Sequence, residues 1–149
     1  MKVFHNTIKI EDNGCPSGCS ICRDTCLERE SDEVCSSIKT VHLPDVGFHA
    51  AIACNQCGEP ACEEHCPTGA ISKSKDDGVV RIDHDKCLGC GLCSLTCPYG
   101  GVEYDARIKK PMKCDLCDGD PQCVEACPEG IISLLKSREI VPYLKEDQF

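Results

Sequence analysis

The residues of this sequence that could do chemistry are cysteines, and they fall into four tight groups. Seventeen of the 149 residues are cysteine, a fraction far above that of ordinary globular domains. Thiolates packed this closely bind soft or borderline metals, and zinc and iron–sulfur clusters are the two common choices. Cys35 belongs to no group. The groups are Cys15, Cys19, Cys22 and Cys26; Cys54, Cys57, Cys62 and Cys66; Cys87, Cys90, Cys93 and Cys97; and Cys114, Cys117, Cys123 and Cys127.

The spacing within the third group distinguishes between the two metals. From Cys87 to Pro98 the sequence has the pattern C-x2-C-x2-C-x3-C-P. This is the bacterial-type [4Fe–4S] pattern, in which the fourth cysteine ligates the other cluster of a pair. Structural zinc sites usually have two CxxC pairs separated by a longer loop. The third group therefore favours an iron–sulfur cluster, and a structural zinc-binding module is the less favoured alternative.

The other three groups are variants of this pattern. Groups two and four have wider middle gaps, but both keep the CxxC start and the x3-C-P end. Group one has three residues in its first gap, and Leu27 stands where the other groups have proline. Two interpretations of group one stay open: a fourth cluster site, or a degenerate group that has lost its cluster. Cys35 is interpreted as a spare thiol, with a replacement ligand for group one as the alternative.

Composition limits the compartment and the partners. The cysteine count is odd and the first residues lack the apolar run of a signal peptide, which argues against a secreted disulfide framework. No apolar run approaches the length of a membrane span, and we expect a cytoplasmic location. The net charge of −9 gives no basic footprint for nucleic acid. A [4Fe–4S] cluster with its four thiolates carries a charge of about −2, so four clusters would bring the net charge of the chain to about −17. We therefore expect a partner with a basic face.

The elements that must position these cysteines repeat along the chain. Ile10 lies five residues before Cys15, and Ile82 lies five residues before Cys87. Groups two and four also match, because IACNQC resembles MKCDLC and CPTGAI resembles CPEGII. We therefore predict one domain over residues 1–149, built from two pseudo-repeats at about residues 8–72 and 79–132.

Short strands and single helical turns are expected between the cysteines. Residues 70–72 and 79–82 flank an Asp-Gly hairpin signal, and residues 102–104 and 106–108 are predicted to form a second hairpin. The x3-Cys end of each group is one helical turn long. Residues 130–141 are compatible with a helix or a strand. The acidic run 28–33 is predicted as a solvated loop, with a docking patch as the alternative. Residues 137–149 are predicted as an extended docking arm.

On these cysteine groups, over about residues 8–132, the chain resembles four-cluster polyferredoxin subunits of multi-subunit oxidoreductases. Those subunits serve tungsten aldehyde oxidoreductase-type enzymes, dimethyl-sulfoxide reductase-type enzymes and some hydrogenases. The resemblance implies an α+β, doubled bacterial-ferredoxin-like fold in which the outer groups pair and the inner groups pair. It implies four [4Fe–4S] ligand sets: Cys15, Cys19, Cys22 and Cys127; Cys114, Cys117, Cys123 and Cys26; Cys54, Cys57, Cys62 and Cys97; and Cys87, Cys90, Cys93 and Cys66.

The function implied by the resemblance is single-electron relay, without substrate chemistry of its own. The partners would be a catalytic subunit, such as a tungsten or molybdenum enzyme or a hydrogenase, and possible redox partners are a flavoprotein or a ferredoxin. The short chain favours the tungsten aldehyde oxidoreductase-type small subunit. A free soluble polyferredoxin is the alternative. No catalytic motif is visible, and the five histidines are expected to be surface residues or neighbours of ligands. Asp115, Asp118 and Asp120 either lower the potential of a nearby cluster or are ordinary turn residues.

Overall fold

The architecture combines short antiparallel strand pairs with short helices, the α+β mixture that the sequence predicts. The computed structural model describes residues 6–11, 15–30 and 36–136. The predicted docking arm, residues 137–149, and the spare Cys35 lie outside the described residues. No helix in the described part of the chain is long and apolar enough to cross a membrane.

The elements alternate along the chain with the cysteine groups. The strands form four two-stranded antiparallel sheets, β1–β8, β2–β3, β4–β5 and β6–β7. In chain order the elements are β1 (Thr7–Ile10), α1 (Ile21–Glu30), β2 (Lys39–Leu43), a 3₁₀ turn (Pro44–Val46), β3 (Phe48–Ile52), α2 (Ala61–Glu64), β4 (Ile71–Lys73), β5 (Val80–Ile82), α3 (Leu92–Thr96), β6 (Val102–Asp105), β7 (Lys110–Lys113), a turn (Leu116–Gly119), α4 (Gln122–Ala126) and β8 (Ile132–Leu135).

The first predicted hairpin is confirmed, and the second needs a correction. Strands β4 and β5 pair with Ile71 opposite Ile82. Strand β6 is as expected, but residues 106–109 form a turn and its partner β7 begins only at Lys110. The reason is local: the Asp105 carboxylate accepts hydrogen bonds from the backbone N–H of Arg107 at 2.8 Å and from its guanidinium at 2.7 Å. These bonds favour a turn where an extended strand was expected.

Two strand pairings follow from contacts that local patterns do not reveal. Residues 132–135 form a strand because they pair with β1, with Ile10 opposite Ile132 and Ile8 opposite Leu134. This pairing joins the two ends of the described chain. The β2–β3 hairpin, with Val41 opposite Ala50, was not predicted at all.

Helix α1 differs in length from the helices of the other cysteine groups. Helices α2, α3 and α4 each stop one or two residues before a cysteine that is followed by proline. Proline cannot continue a helix because it lacks an N–H and its ring clashes with the preceding turn. Leu27 imposes no such stop, and α1 continues through Cys26 to Glu30. Residues 28–30 of the predicted solvated loop are therefore helical, and residues 31–33 lie outside the described residues.

The buried apolar side chains form two clusters that include cysteines. One cluster contains Cys22 and Cys123 among its buried residues, together with Ile8, Ile38, Ala51, Ala53, Val79, Leu116 and Ile132. The other contains Cys62 and Cys93, together with Ile71, Val80 and Val102. The thiols thus point into the interior, where apolar side chains limit the access of water.

Candidate metal centres

Three of the four predicted cysteine sets line small cavities. We name them site II, lined by Cys54, Cys57, Cys62 and Cys97; site III, lined by Cys66, Cys87, Cys90 and Cys93; and site IV, lined by Cys26, Cys114, Cys117 and Cys123. Each cavity combines three cysteines of one group with the last cysteine of another. These are the same combinations that the sequence resemblance implies.

The remaining set, Cys15, Cys19, Cys22 and Cys127, is named site I. Burial, together with the nearby Cys15, Cys19 and Cys127 thiols, raises the pKa of Cys22 to about 11. Burial raises the pKa of Cys15, and so do the neighbouring Cys19 and Cys127 and a side-chain hydrogen bond with Cys19. The structure therefore brings the last cysteine of group four to the three leading cysteines of group one, despite the irregular first gap of that group.

One loop conformation recurs at the start of the cysteine groups. In groups two, three and four, the residue before the second cysteine has a positive φ, at 50°, 71° and 60°. This left-handed conformation turns the backbone N–H of that residue towards the sulfur of the first cysteine. The backbone N–H of Gln56 donates to the Cys54 sulfur, that of Gly89 to the Cys87 sulfur, and that of Leu116 to the Cys114 sulfur. The distance from nitrogen to sulfur is 3.4 Å in each case. In group one, Gly18 holds the corresponding position before Cys19 with φ 77°.

A second shared turn ends groups two, three and four. In each, the sequence C-P-x-G closes with a glycine at φ 63° or 64° whose N–H donates to the carbonyl of the last cysteine. The pairs are Gly69 with Cys66 at 3.2 Å, Gly100 with Cys97 at 3.4 Å and Gly130 with Cys127 at 3.2 Å. After the second of these turns, the N–H of Gly101 donates to the sulfur of Cys97 at 3.3 Å. The turn directs the chain away from the cavity after the last thiol.

Burial makes several of these thiols weak acids. It raises the pKa of Cys62 to about 11 and the pKa values of Cys114 and Cys123 to about 12. In the absence of a metal these side chains are therefore protonated at neutral pH. Because metals bind the thiolate form, loading of the sites releases protons. Cys90 of site III is the exposed cysteine among those described.

The donor set fits an iron–sulfur cluster. Four thiols converge on each cavity of sites II, III and IV, and apolar side chains such as Val102, Leu92 and Ile38 complete the linings. Backbone N–H groups point at sulfurs, and such hydrogen bonds stabilise the negative charge of a cluster and influence its potential. In the described part of the chain, no three His, Cys, Asp or Glu side chains are arranged to hold a single metal ion.

A buried polar layer between sites II and IV was not predicted from the sequence. Gln56 is completely buried. Its amide donates to the Cys114 carbonyl at 2.7 Å, and its side-chain oxygen accepts from the Val80 N–H at 2.8 Å. The ammonium of Lys113 donates to the carbonyls of the same two residues. Lys73 donates to the carbonyls of Gln56 and Cys57. A lysine or glutamine next to a ligand cysteine is the sequence signal that could have drawn attention to this layer.

Two of the three acidic side chains around group four, Asp115 and Asp118, are paired with arginines, whereas Asp120 accepts a hydrogen bond from Gln122. The guanidinium of Arg29, in the last turn of α1, contacts both carboxylate oxygens of Asp115 at 3.3 and 3.1 Å. Asp118 lies 3.6 Å from Arg29 and 3.8 Å from Arg81. Their negative charges are therefore partly neutralised, which weakens the expectation that they lower the potential of a cluster at site IV. The extra turn of α1 beyond Cys26 is what brings Arg29 to Asp115.

Histidines contribute at site I, although none was expected to pair with another. The Nε2–H of His49 donates to the Cys19 carbonyl at 2.8 Å. His42 lies opposite His49 across the β2–β3 hairpin, with the ring centroids 5.0 Å apart in an edge-on arrangement. The sequence spacing of the two histidines does not predict this contact, because the contact depends on the register of the β2–β3 hairpin.

Comparison with known proteins agrees with the cysteine pattern. Residues 46–137 match the family model described as the 4Fe-4S dicluster domain. This range contains groups two, three and four and begins after group one. An uncharacterized ferredoxin of Methanocaldococcus jannaschii is 34% identical over 131 residues, covering 87% of this chain and 72% of that protein.

Other similar proteins are parts of larger enzymes. The beta subunit of an NADH-dependent phenylglyoxylate dehydrogenase from Aromatoleum evansii is 34% identical over 142 residues, covering 91% of this chain and 31% of that protein. A sulfite dehydrogenase subunit from Allochromatium vinosum is 45% identical over 102 residues, covering 60% of this chain and 40% of that protein. The chain thus spans less than half the length of these two relatives.

Among solved structures, the active-site complex BamBC of benzoyl coenzyme A reductase, in complex with zinc, has a similar fold. The TM-score is 0.52 at 22% identity, and the match covers 98% of this chain and 92% of that chain. At this identity the likeness concerns the fold alone. The family match over most of the cysteine groups and the similar ferredoxin lead to one conclusion: this chain belongs to the 4Fe-4S dicluster domain family.

Proposed function

We propose that this chain is an electron-transfer subunit that relays single electrons through four [4Fe–4S] clusters, between a catalytic subunit and a redox partner. The observation that carries the proposal is the grouping of sixteen cysteines into four sets of four thiols, three of them around cavities with apolar linings. The iron–sulfur subunits among its relatives support the same role. In this proposal the chain performs no substrate chemistry.

The proposed ligand sets are sites I to IV as defined above, within a doubled ferredoxin-like domain. Helices α1 and α4, which carry cysteines of sites I and IV, pack together, and so do α2 and α3 beside sites II and III. The β1–β8 pairing holds the first and last described strands together. These contacts support two pseudo-repeats, at about residues 8–72 and 79–132, that exchange the last cysteine of each group. The docking arm over residues 137–149 remains part of the proposal on sequence grounds.

A cluster bound at each site would supply a one-electron redox centre. The residues of the chain would hold it and control its surroundings. The N–H groups of Gln56, Gly89 and Leu116 donate to ligand sulfurs, which favours the negative charge of a reduced centre. The apolar linings exclude water from sites II, III and IV. The exposure of Cys90 makes site III the most accessible of these three to a partner.

The proposed partner is the catalytic subunit of a multi-subunit oxidoreductase, of the tungsten or molybdenum class or a hydrogenase. A flavoprotein or a ferredoxin would be the other redox partner, and the complex would work in the cytoplasm. Two relatives are named as dehydrogenase subunits, and the structure with a similar fold belongs to a reductase complex. Size-exclusion chromatography of the native complex tests this proposal. Elution of the chain alone would favour the free polyferredoxin.

Iron and sulfide analysis of anaerobically purified protein tests the cofactor. Four clusters of four irons predict about 16 irons per chain, with an equal amount of acid-labile sulfide. A value near 12 would mean that site I is empty. Zinc in place of iron would refute the proposal.

The exchange of ligands between groups has its own test. Cys66→Ser is expected to change the potential and the electron paramagnetic resonance spectrum of the cluster at site III, because that cavity contains Cys87, Cys90 and Cys93. Cys97→Ser is the matched variant and is expected to change only the cluster at site II. If Cys66→Ser altered site II instead, the proposed ligand sets would be wrong.

A further inference from the structure

Lys113 places a positive charge between two of the cysteine sites. It is the last residue of β7 and directly precedes Cys114, and only 7% of its surface is exposed. Its ammonium donates to the carbonyl of Cys114 at 3.0 Å and to the carbonyl of Val80. The side chain of Gln56 bonds the same two residues, through the Cys114 carbonyl and the Val80 N–H. Lys113 is thereby held in the polar layer that separates site II from site IV.

The charge of Lys113 acts on site II. Val80, whose carbonyl accepts from the Lys113 ammonium, lines the site II cavity together with Cys62. Within the described part of the chain, no carboxylate forms an ion pair with Lys113, and its hydrogen bonds go to carbonyl oxygens. A buried ammonium is costly unless negative charge lies nearby. A cluster with thiolate ligands at site II would supply that charge.

We propose that Lys113 is a tuning residue whose positive charge raises the reduction potential of the cluster at site II. This inference rests on the proposed function, since it requires a cluster there. Reduction adds one negative charge to a cluster, so a nearby buried cation stabilises the reduced form more than the oxidised form. An electron that passes between site IV and site II would then find the reduced form of the site II cluster stabilised.

The test is an anaerobic redox titration of the holoprotein, followed by electron paramagnetic resonance. The site II signal is identified first, as the signal that Cys57→Ser alters. Lys113→Gln keeps N–H donors for the two carbonyls but removes the charge. We expect it to lower the ratio of reduced to oxidised site II cluster at least tenfold at a fixed potential, a shift of about 59 mV for one electron. Lys113→Arg keeps the charge, so its site II cluster should have a reduction potential close to that of the wild type.

The matched control lies on the same strand. Lys110→Gln removes an amine that donates to the His84 carbonyl, and it should leave the site II potential unchanged. The proposal is overturned if Lys113→Gln titrates like the wild type with full iron content, or if Lys110→Gln shifts site II equally. If Lys113→Gln loses iron, Lys113→Met takes its place, and loss of iron in both would show a structural role and refute the tuning. Wild-type protein without iron would instead refute the proposed function itself.

Discussion

Replacing Gln56 by alanine tests whether the polar layer between sites II and IV holds the cysteine groups together. The glutamine side chain is fully buried and bonds the second half of the chain at two points. Alanine removes both hydrogen bonds and leaves the backbone conformation in place. The φ of 50° at this position is equally unfavourable for glutamine and alanine, so the comparison isolates the side chain.

The loss of stability expected in Gln56→Ala can be estimated from the two hydrogen bonds that the variant removes. The Val80 N–H loses its partner in a site where Val80 is 1% exposed, and an orphaned buried donor costs about 1–3 kcal/mol. The Cys114 carbonyl still accepts from Lys113, so the second bond contributes only about 0.5–1.5 kcal/mol. We therefore expect Gln56→Ala to destabilise this region by about 1.5–4.5 kcal/mol.

Hydrogen exchange of the holoprotein, monitored by mass spectrometry under anaerobic conditions, measures this loss locally. Because about 1.4 kcal/mol corresponds to a factor of ten, the amides of β5 should exchange about 10 to 1,600 times faster in Gln56→Ala. Asn55→Ala is the control, since Asn55 is the exposed neighbour in the same loop, and its effect should stay below about 0.5 kcal/mol.

A third variant checks the backbone argument. Gln56→Gly loses the same two bonds but removes the conformational strain of a positive φ, which is about 1–2 kcal/mol for a residue with a side chain. It should be no less stable than Gln56→Ala. If the amides of β5 exchanged at the wild-type rate in Gln56→Ala, the reasoning would be refuted. The hydrogen bond from the Val80 N–H to the glutamine side chain would then contribute nothing to stability.

Three further predictions concern other parts of the molecule. Gly89→Ala should remove the cluster of site III and lower the iron content, because the new Cβ would lie 2.2 Å from a backbone carbonyl oxygen of the β6–β7 turn; Gly100→Ala, with no atom within 4 Å, should keep its iron. Arg29→Met should destabilise site IV by about 1 kcal/mol, since the ion pair with Asp115 is partly exposed, and urea unfolding should show a smaller difference at high salt. Hydrogen bonds from the neighbouring guanidinium on β5 hold the pKa of Asp77 well below its ordinary value. The Asp77 carboxylate therefore stabilises the fold above about pH 4, and this contribution is lost as the pH falls further. Asp77→Asn should therefore lose less stability than the wild type as the pH falls from about 4 to about 2.5, measured as the rate of cluster loss.

Local sequence signals predicted the features that depend on near neighbours. The Asp77-Gly78 signal identified the β4–β5 hairpin, because a tight turn sets the register of the strands that it joins. The same reasoning failed for β7, where the Asp105 side chain extends the turn through its bonds to Arg107. Leu27 in place of proline is visible in the sequence as an irregularity. Its consequence, a longer α1 that brings Arg29 to Asp115, depends on a contact between residues 86 positions apart.

By itself, the sequence determined the metal chemistry and the division of the cysteines into groups, because cluster binding demands thiols at fixed short spacings. It also determined the β4–β5 hairpin and the single helical turns of groups two, three and four, through the Asp-Gly turn and the proline that follows each group. Only the tertiary structure decided what lies between the sites. Gln56 reaches Cys114 across 58 positions, and Lys113 reaches Val80 across 33. No local pattern encodes such contacts, since a buried polar side chain finds its partners only after the two halves of the chain have packed together.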